Sequence, residues 1–529
     1  MQVTYSQKGI PFGSEADGGS PRMRLYSHRS VLTTALLLGA VGSFAAPDDS
    51  RLADAAMRGD REVLRSLLTN RSNVNSRQID GTTALHWAVR KDDLATADAL
   101  IRAGADVKAT NRYGLTPISL AAMNGSAAMI KKLLDAGADP NTANQGGETV
   151  LMTASRTGNL ESVKLLLDRG ANVNAKDLEH AQTSLMWAVI EKHLDVAGLL
   201  IAGGADVNAH TNVSMTPGEF TLARPGGGPG TTLQRARPTA SGGMTALLFA
   251  VREGNLDATR LLLDRGADIN LPSGNRTSPL VIALLNGQVG IASYLLDRGA
   301  DPNAADAYGR AALFAAVDLR NFNHARFPEI PYDGLDPLPL IEALLKKGTD
   351  PNARAETIPY NALYVFDGSW INFDGQTSFV RAALAGDIEV MRLLLENGAD
   401  PNIATTEGTT ALMASSGMNW VTNQTYNHGE AAYLEAIKLC LKQGADINAA
   451  NSLGFTALHA AASRGWESVI QLLVDNGANM DAKDVAGRTP LVFAQGVPLA
   501  ARPPEAKPKA VALLQTLITN SGRAHAGKQ

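Results

Sequence analysis

From Asn111 to Asn144 the apolar residues come in two short bursts, separated by polar breaks that carry glycine. Ile118, Ala121 and Ala122 fall on one face of a helix. Ile130, Leu133 and Leu134 fall on one face of a second, at the i, i+3, i+4 spacing that a 3.6-residue period requires. Thr116 predicts an N-cap, and Pro117 takes the first helical position, where its missing N–H is no loss. Gly125 and Gly137 predict the two helix ends, because glycine accepts the left-handed conformation there. The Asp139-Pro140-Asn141 segment predicts a turn, since Asp and Asn side chains bond their own backbone. The expected unit is helix, loop, helix, hairpin. Its apolar stripes have no cover inside the unit, so a neighbour must supply it.

Neighbours are present. A Gly-Ala-Asp or Gly-Ala-Asn phrase recurs with Gly at 104, 137, 170, 204, 266, 299, 398, 444 and 477, and degenerates to Gly348-Thr349-Asp350. The intervals are 33, 33, 34, 62, 33, 49, 50, 46 and 33, which is one unit of 33 with four insertions. The insertions fall at 211–242 and 355–376, both at hairpin tips, and at 318–336 and 416–430, both between the helices of a unit. Residues 46–79 read as an N-terminal capping repeat and 80–484 as the interrupted array. Residues 485–529, with a Pro-rich stretch and no further hairpin, read as a C-terminal cap and tail. The fold class expected is all-α, a solenoid of about twelve units.

Thr83-Ala84-Leu85-His86-Trp87-Ala88 and Thr456-Ala457-Leu458-His459-Ala460-Ala461 carry the Thr-x-Leu-His-x-Ala phrase at the start of a unit. On these residues and the 33-residue period the chain resembles the ankyrin-repeat family, over roughly residues 50 to 520, and in its arrangement the exported bacterial members with interrupted central repeats. The resemblance implies protein binding without catalysis, and a framework role for His86 and His459. Asp92 and Lys192 stand where other units place glycine after the first helix, so those two turns are expected to be slightly strained or differently closed.

Composition adds an address. Met23-Arg24 and Arg29 precede the apolar run Val31–Val41, and Ser43-Phe44-Ala45 follows, which is the basic, apolar and small-residue order of a signal peptide over 23–45. Residues 1–22 read as an extension before the true start. The run is shorter than the ~20 residues that span a bilayer. Cleavage after Ala45 removes four basic and two acidic residues and takes the net charge from −4 to −6. A periplasmic or secreted, soluble and monomeric protein is expected. No basic field points to nucleic acid. The single cysteine, Cys440, sits in a helical stretch and reads as a small core side chain.

Chemistry is sparse. The nine histidines show no metal-ligand spacing, no nucleophile elbow or phosphate loop occurs, and the Asp-x-Asn turns lack the closing Glu of a calcium loop. No catalytic residue, cofactor or metal is expected. The remaining signal is aromatic. Eleven of the 27 aromatic residues lie in or beside the last three insertions, a density that marks either small loop cores or interface anchors. As anchors the candidates are Phe327, Tyr360, Tyr364, Phe366, Trp370, Phe373, Trp420 and Tyr426. The function expected is a non-catalytic scaffold of the cell envelope or extracellular space, holding an unidentified protein partner by its concave face and these insertions. The alternatives are an effector delivered to a host cell and, remotely, a hydrolase using His324, Glu329, Asp333 or Asp374.

Overall fold

The computed structural model describes residues 50–70, 72–216, 220–221, 234–235, 239–322, 331–355, 374–418, 428–498 and 504–526. Twelve helix pairs follow one another along these residues, numbered here as units. Units 1 to 6 begin with the helices Arg51–Arg58, Ala84–Arg90, Pro117–Met123, Val150–Thr157, Ser184–Ile190 and Ala246–Arg252. Units 7 to 12 begin with Pro279–Leu285, Ala312–Arg320, Ser378–Ala385, Ala411–Ser415, Ala457–Arg464 and Pro490–Gly496. The second helix follows across a short turn, except in units 8, 10 and 12, where it begins only at Leu338, Glu430 and Pro508.

Nine of the twelve first helices open alike, while those of units 1, 8 and 12 have no side-chain cap. The Thr116 hydroxyl accepts from Ser119 N–H with Pro117 behind it, and Thr149, Thr183, Thr245, Thr377 and Thr410 cap their helices in the same way. Five residues after the cap stands an alanine, fully or almost fully buried, as in Ala88, Ala121, Ala154, Ala188 and Ala250; unit 10 has Ser415 instead. Second helices answer with a leucine such as Leu133, Leu166 or Leu262, each at 0% exposure. In unit 10 that leucine position is Cys440, which explains its burial. The small alanines let first helices pack more closely on one another than second helices do.

Hairpins lock the units in register. Asn141 Nδ2 donates to Gly170 O at 3.1 Å while its Oδ1 accepts from Asn172 N–H at 2.7 Å in the next unit. The same two-bond clasp recurs at Asn75, Asn174, Asn208, Asn352 and Asn448. At the tips, backbone bonds such as Arg112 N to Asp80 O and Thr406 N to Asp374 O join one hairpin to the next. Both devices continue across the insertions: Asn208 reaches Gly266, and Asn352 reaches Gly398.

Residues 211–242, with the Gly- and Pro-rich composition of a loop, contain an antiparallel ribbon. Val213–Thr216 pairs with Thr239–Gly242, and Phe220–Thr221 with Gln234–Arg235. A second, two-residue pairing of Arg354–Ala355 with Gln376–Thr377 closes the base of the interval between units 8 and 9.

Candidate partner-binding surface

The first-helix layer presents the side chains that its core leaves over. Trp87 and Trp187 occupy the fourth helical position of units 2 and 5 and are half-buried. Trp87 Nε1 donates to Gln78 Oε1 at 2.8 Å, and Gln78 in turn donates to Asp54 at 2.6 Å, which fixes the indole against the hairpin. The Arg90 guanidinium lies 5.5 Å from the Trp87 ring centroid, that of Arg156 lies 5.4 Å from Trp187, and that of Arg252 lies 5.0 Å from Phe249. Arg156 also pairs with Glu148 at 2.9 Å and Arg252 with Glu253 at 3.0 Å. Flat rings with few rotors and stacked guanidinium groups present large contact area at small entropic cost.

A second polar feature joins the bases of two insertions. Asn321, at 0% exposure, donates from Nδ2 to Val317 O (2.9 Å) and to the Asp387 carboxylate (3.1 Å). Its Oδ1 accepts from His428 Nε2 at 3.2 Å, and its carbonyl accepts from Arg381 at 3.1 Å. Arg320 binds Asp387 at 3.0 Å, Glu389 at 2.8 Å, and Asp336. Arg381 binds Asp318 at 2.6 Å. The node therefore spans units 8, 9 and 10. Burial holds the His428 imidazole below its ordinary pKa of 6.5, with Asp387 pulling the other way. Burial alone would raise Asp336, but the hydrogen bond from Arg320 keeps it below the usual carboxylate range.

Comparison with known proteins supplies the kinship. The ankyrin-repeat pattern, taken three copies at a time, matches residues 52–144, 118–211, 247–327 and 428–496, more than half of the 529 residues. A single ankyrin repeat matches 374–406. The chain belongs to the ankyrin-repeat family. One 73-residue stretch is 38% identical to the Notch-regulated ankyrin repeat-containing protein of Homo sapiens and, equally, to that of Mus musculus. The match covers 13% of this chain and 64% of those relatives, so less than two-thirds of their length is spanned.

In this ankyrin array His86 and His459 are framework. Nδ1 of His86 accepts from Thr83 N–H at 3.2 Å, and Nε2 faces Leu115 O of the next unit at 3.1 Å; His459 repeats both bonds with Thr456 and Arg488. The signal peptide expected at 23–45 lies outside the described residues. So do all eight proposed anchors, Phe327, Tyr360, Tyr364, Phe366, Trp370, Phe373, Trp420 and Tyr426, along with His324 and Glu329. Neighbouring aromatics that are described serve packing. Phe322 is 9% exposed, and Tyr433, 2% exposed, lies with its ring centroid 4.9 Å from that of Trp466.

Two of the four polar residues weighed for hydrolysis have structural positions. Asp333 accepts from Gly290 N–H at 2.8 Å and so caps the second helix of unit 7, whose own N-cap residue Gln288 makes no side-chain cap. Asp374 lends its carbonyl to the tip ladder. Among the described residues no cluster of three or more His, Cys, Asp or Glu is placed to hold a metal, and no helix is long and apolar enough to cross a membrane. Burial pushes the Cys440 thiol up to about 12, which leaves it an unreactive core group. The Trp87 and Trp187 surface was not singled out from sequence. Its signal was available: both tryptophans stand four residues after a capping threonine.

Proposed function

We propose that this ankyrin-repeat chain is an exported scaffold that holds a protein partner of the cell envelope or extracellular space without catalysing a reaction on it. The observation that carries the proposal is the first-helix layer of units 2 to 6, where the half-buried Trp87 and Trp187 are held by stacked arginines. Rings held by a hydrogen bond and a guanidinium are ordered before any partner arrives, which lowers the ordering cost of association. Trp370, Phe373, Tyr364 and Trp420, from the aromatic-rich insertions, are further anchors in this reading. The order of basic, apolar and small residues over 23–45 supports export.

Two measurements test this reading. N-terminal mass spectrometry on protein from its native host is expected to find Ala46 first; an intact 1–45 segment in the cytosol would end the export part. Trp370→Ala is expected to leave the thermal melt almost unchanged and to weaken the partner complex by ~2 kcal/mol or more. A destabilised Trp370→Ala protein that binds with full affinity when folded would make that ring a packing residue and remove it as an anchor.

A further inference from the structure

Seven residues after the first-helix N-cap, each of units 1 to 7 places a partly or fully exposed side chain on the first-helix layer. In units 1 to 7 these are Met57, Arg90, Met123, Arg156, Ile190, Arg252 and Leu285. Apolar and cationic side chains alternate without exception. Met57 is 39% exposed, Met123 is 51% exposed and Arg90 is exposed, while the last four are half-buried. Each of the three arginines stacks on an aromatic ring, as given above, so the positive groups are held in place. Units 8 and 9 carry Asp318 and Leu384 at this position, so the cationic alternation stops before unit 8. There both residues are 9% exposed, and Asp318 is taken by Arg381. The accessible stripe therefore ends at unit 7.

The spacing selects an occupant. Packed helices lie roughly 8–10 Å apart, so the stripe offers one contact per 8–10 Å. A β-strand repeats its side-chain direction every two residues, about 7 Å, and falls out of step within a few units. A polyproline II segment turns once per three residues, about 9 Å, and stays in step. We propose that units 1 to 7 bind an extended polyproline II segment of the partner, in which apolar and acidic residues alternate at every third position. Its acidic side chains meet Arg90, Arg156 and Arg252, and its apolar ones meet Met57, Met123, Ile190 and Leu285. A guanidinium carries five N–H donors, so Arg156 and Arg252 accept a second carboxylate beside Glu148 and Glu253. This inference rests on the scaffold reading and names the chemistry of its ligand.

Fluorescence anisotropy on the full chain tests it with three labelled synthetic peptides of about 20 residues. One alternates Leu and Glu at every third position, the second has the same residues in a two-residue alternation, and the third carries Lys in place of Glu. The first is expected to bind at least ~10-fold more tightly than the others. The double variant Arg90→Glu/Arg252→Glu is expected to lose at least ~10-fold of that affinity with its thermal melt unchanged, since like charges across an interface repel. Equal binding of the two-residue or the Lys peptide overturns the proposal, as does unchanged binding by the double variant or no binding of any peptide. Failure of the scaffold reading looks different. In that case Trp87→Ala and wild type retain the same proteins from envelope extract, or none, whatever the peptides do.

Discussion

Asp92 and Lys192 close the first helices of units 2 and 5 at φ of +54° and +64°, where units 1, 4 and 9 use glycine. A left-handed residue with a Cβ costs roughly 1–2 kcal/mol, and the extra freedom of an unfolded glycine returns ~0.5–1 of that. Asp92→Gly and Lys192→Gly are therefore each expected to stabilise the chain by ~0.5–1 kcal/mol, read as a higher urea midpoint at constant slope. A lower midpoint would mean that these side chains hold their turns by contacts rather than strain them. The framework histidines give a pH dependence. Burial keeps the His86 and His459 rings below the 6.5 of an unfolded histidine. As pH falls through 6.5 the unfolded chain takes up protons that the folded chain refuses, so stability declines and then levels off once the folded rings protonate. Unit 4 places Met152 at the same position, with its sulfur accepting from Thr149 N–H. His86→Met/His459→Met should flatten the pH profile between 6.5 and 5. A profile identical to wild type would place the acid sensitivity elsewhere.

At the scale of the helix pair, local periodicity decides most of what is seen. Ile130, Leu133 and Leu134 announce their helix because the residues that share a face are three and four apart. Thr116 and Gly125 mark the ends of the preceding helix because capping is local too. The node at Asn321 is different in kind. Asp387 lies 66 residues from Asn321 and His428 lies 107 away, so nothing in a short window announces their meeting. The Asn clasps are intermediate. Their turn-forming character is legible in Asp139-Pro140-Asn141, but the reach of Asn141 into the next unit needs the stacked structure. The same distinction sets the size of mutational effects. Leu166→Ala opens the core of unit 4 and is expected to cost ~2–5 kcal/mol in urea melts. Asp387→Ala takes from Arg320 its buried carboxylate, leaves Asn321 with Val317 O as its remaining acceptor and removes the Val390 cap, at a cost of about 3 kcal/mol. Hydrogen exchange should then rise first in units 8 to 10. Uniform exchange along the whole chain would show that the node is not a local tie.

For the whole molecule, stability is close to a sum of units and of the interfaces between them. Replacing residues 214–241 with a short turn keeps the tip bond from Gly274 N–H to Gly242 O, and because loop length enters only logarithmically the change is expected to stay within about 1 kcal/mol. A larger loss would mean that the ribbon packs on its neighbours. The Asn clasps and tip bonds, at least one of which passes each insertion, have a mechanical counterpart. Pulled from its two ends, the stack is loaded junction by junction, and units are expected to yield singly. A released residue adds at most about 3.3–3.6 Å of contour. A regular interval of 33 residues then lengthens the tether by about 110 Å, while the 62-residue interval between Gly204 and Gly266 lengthens it by about 210 Å. The intervals of 49, 50 and 46 residues give steps of about 160 Å. The sawtooth of an optical-tweezer trace would thus spell out the order of long and short units, and the chain could be read end to end by extension alone.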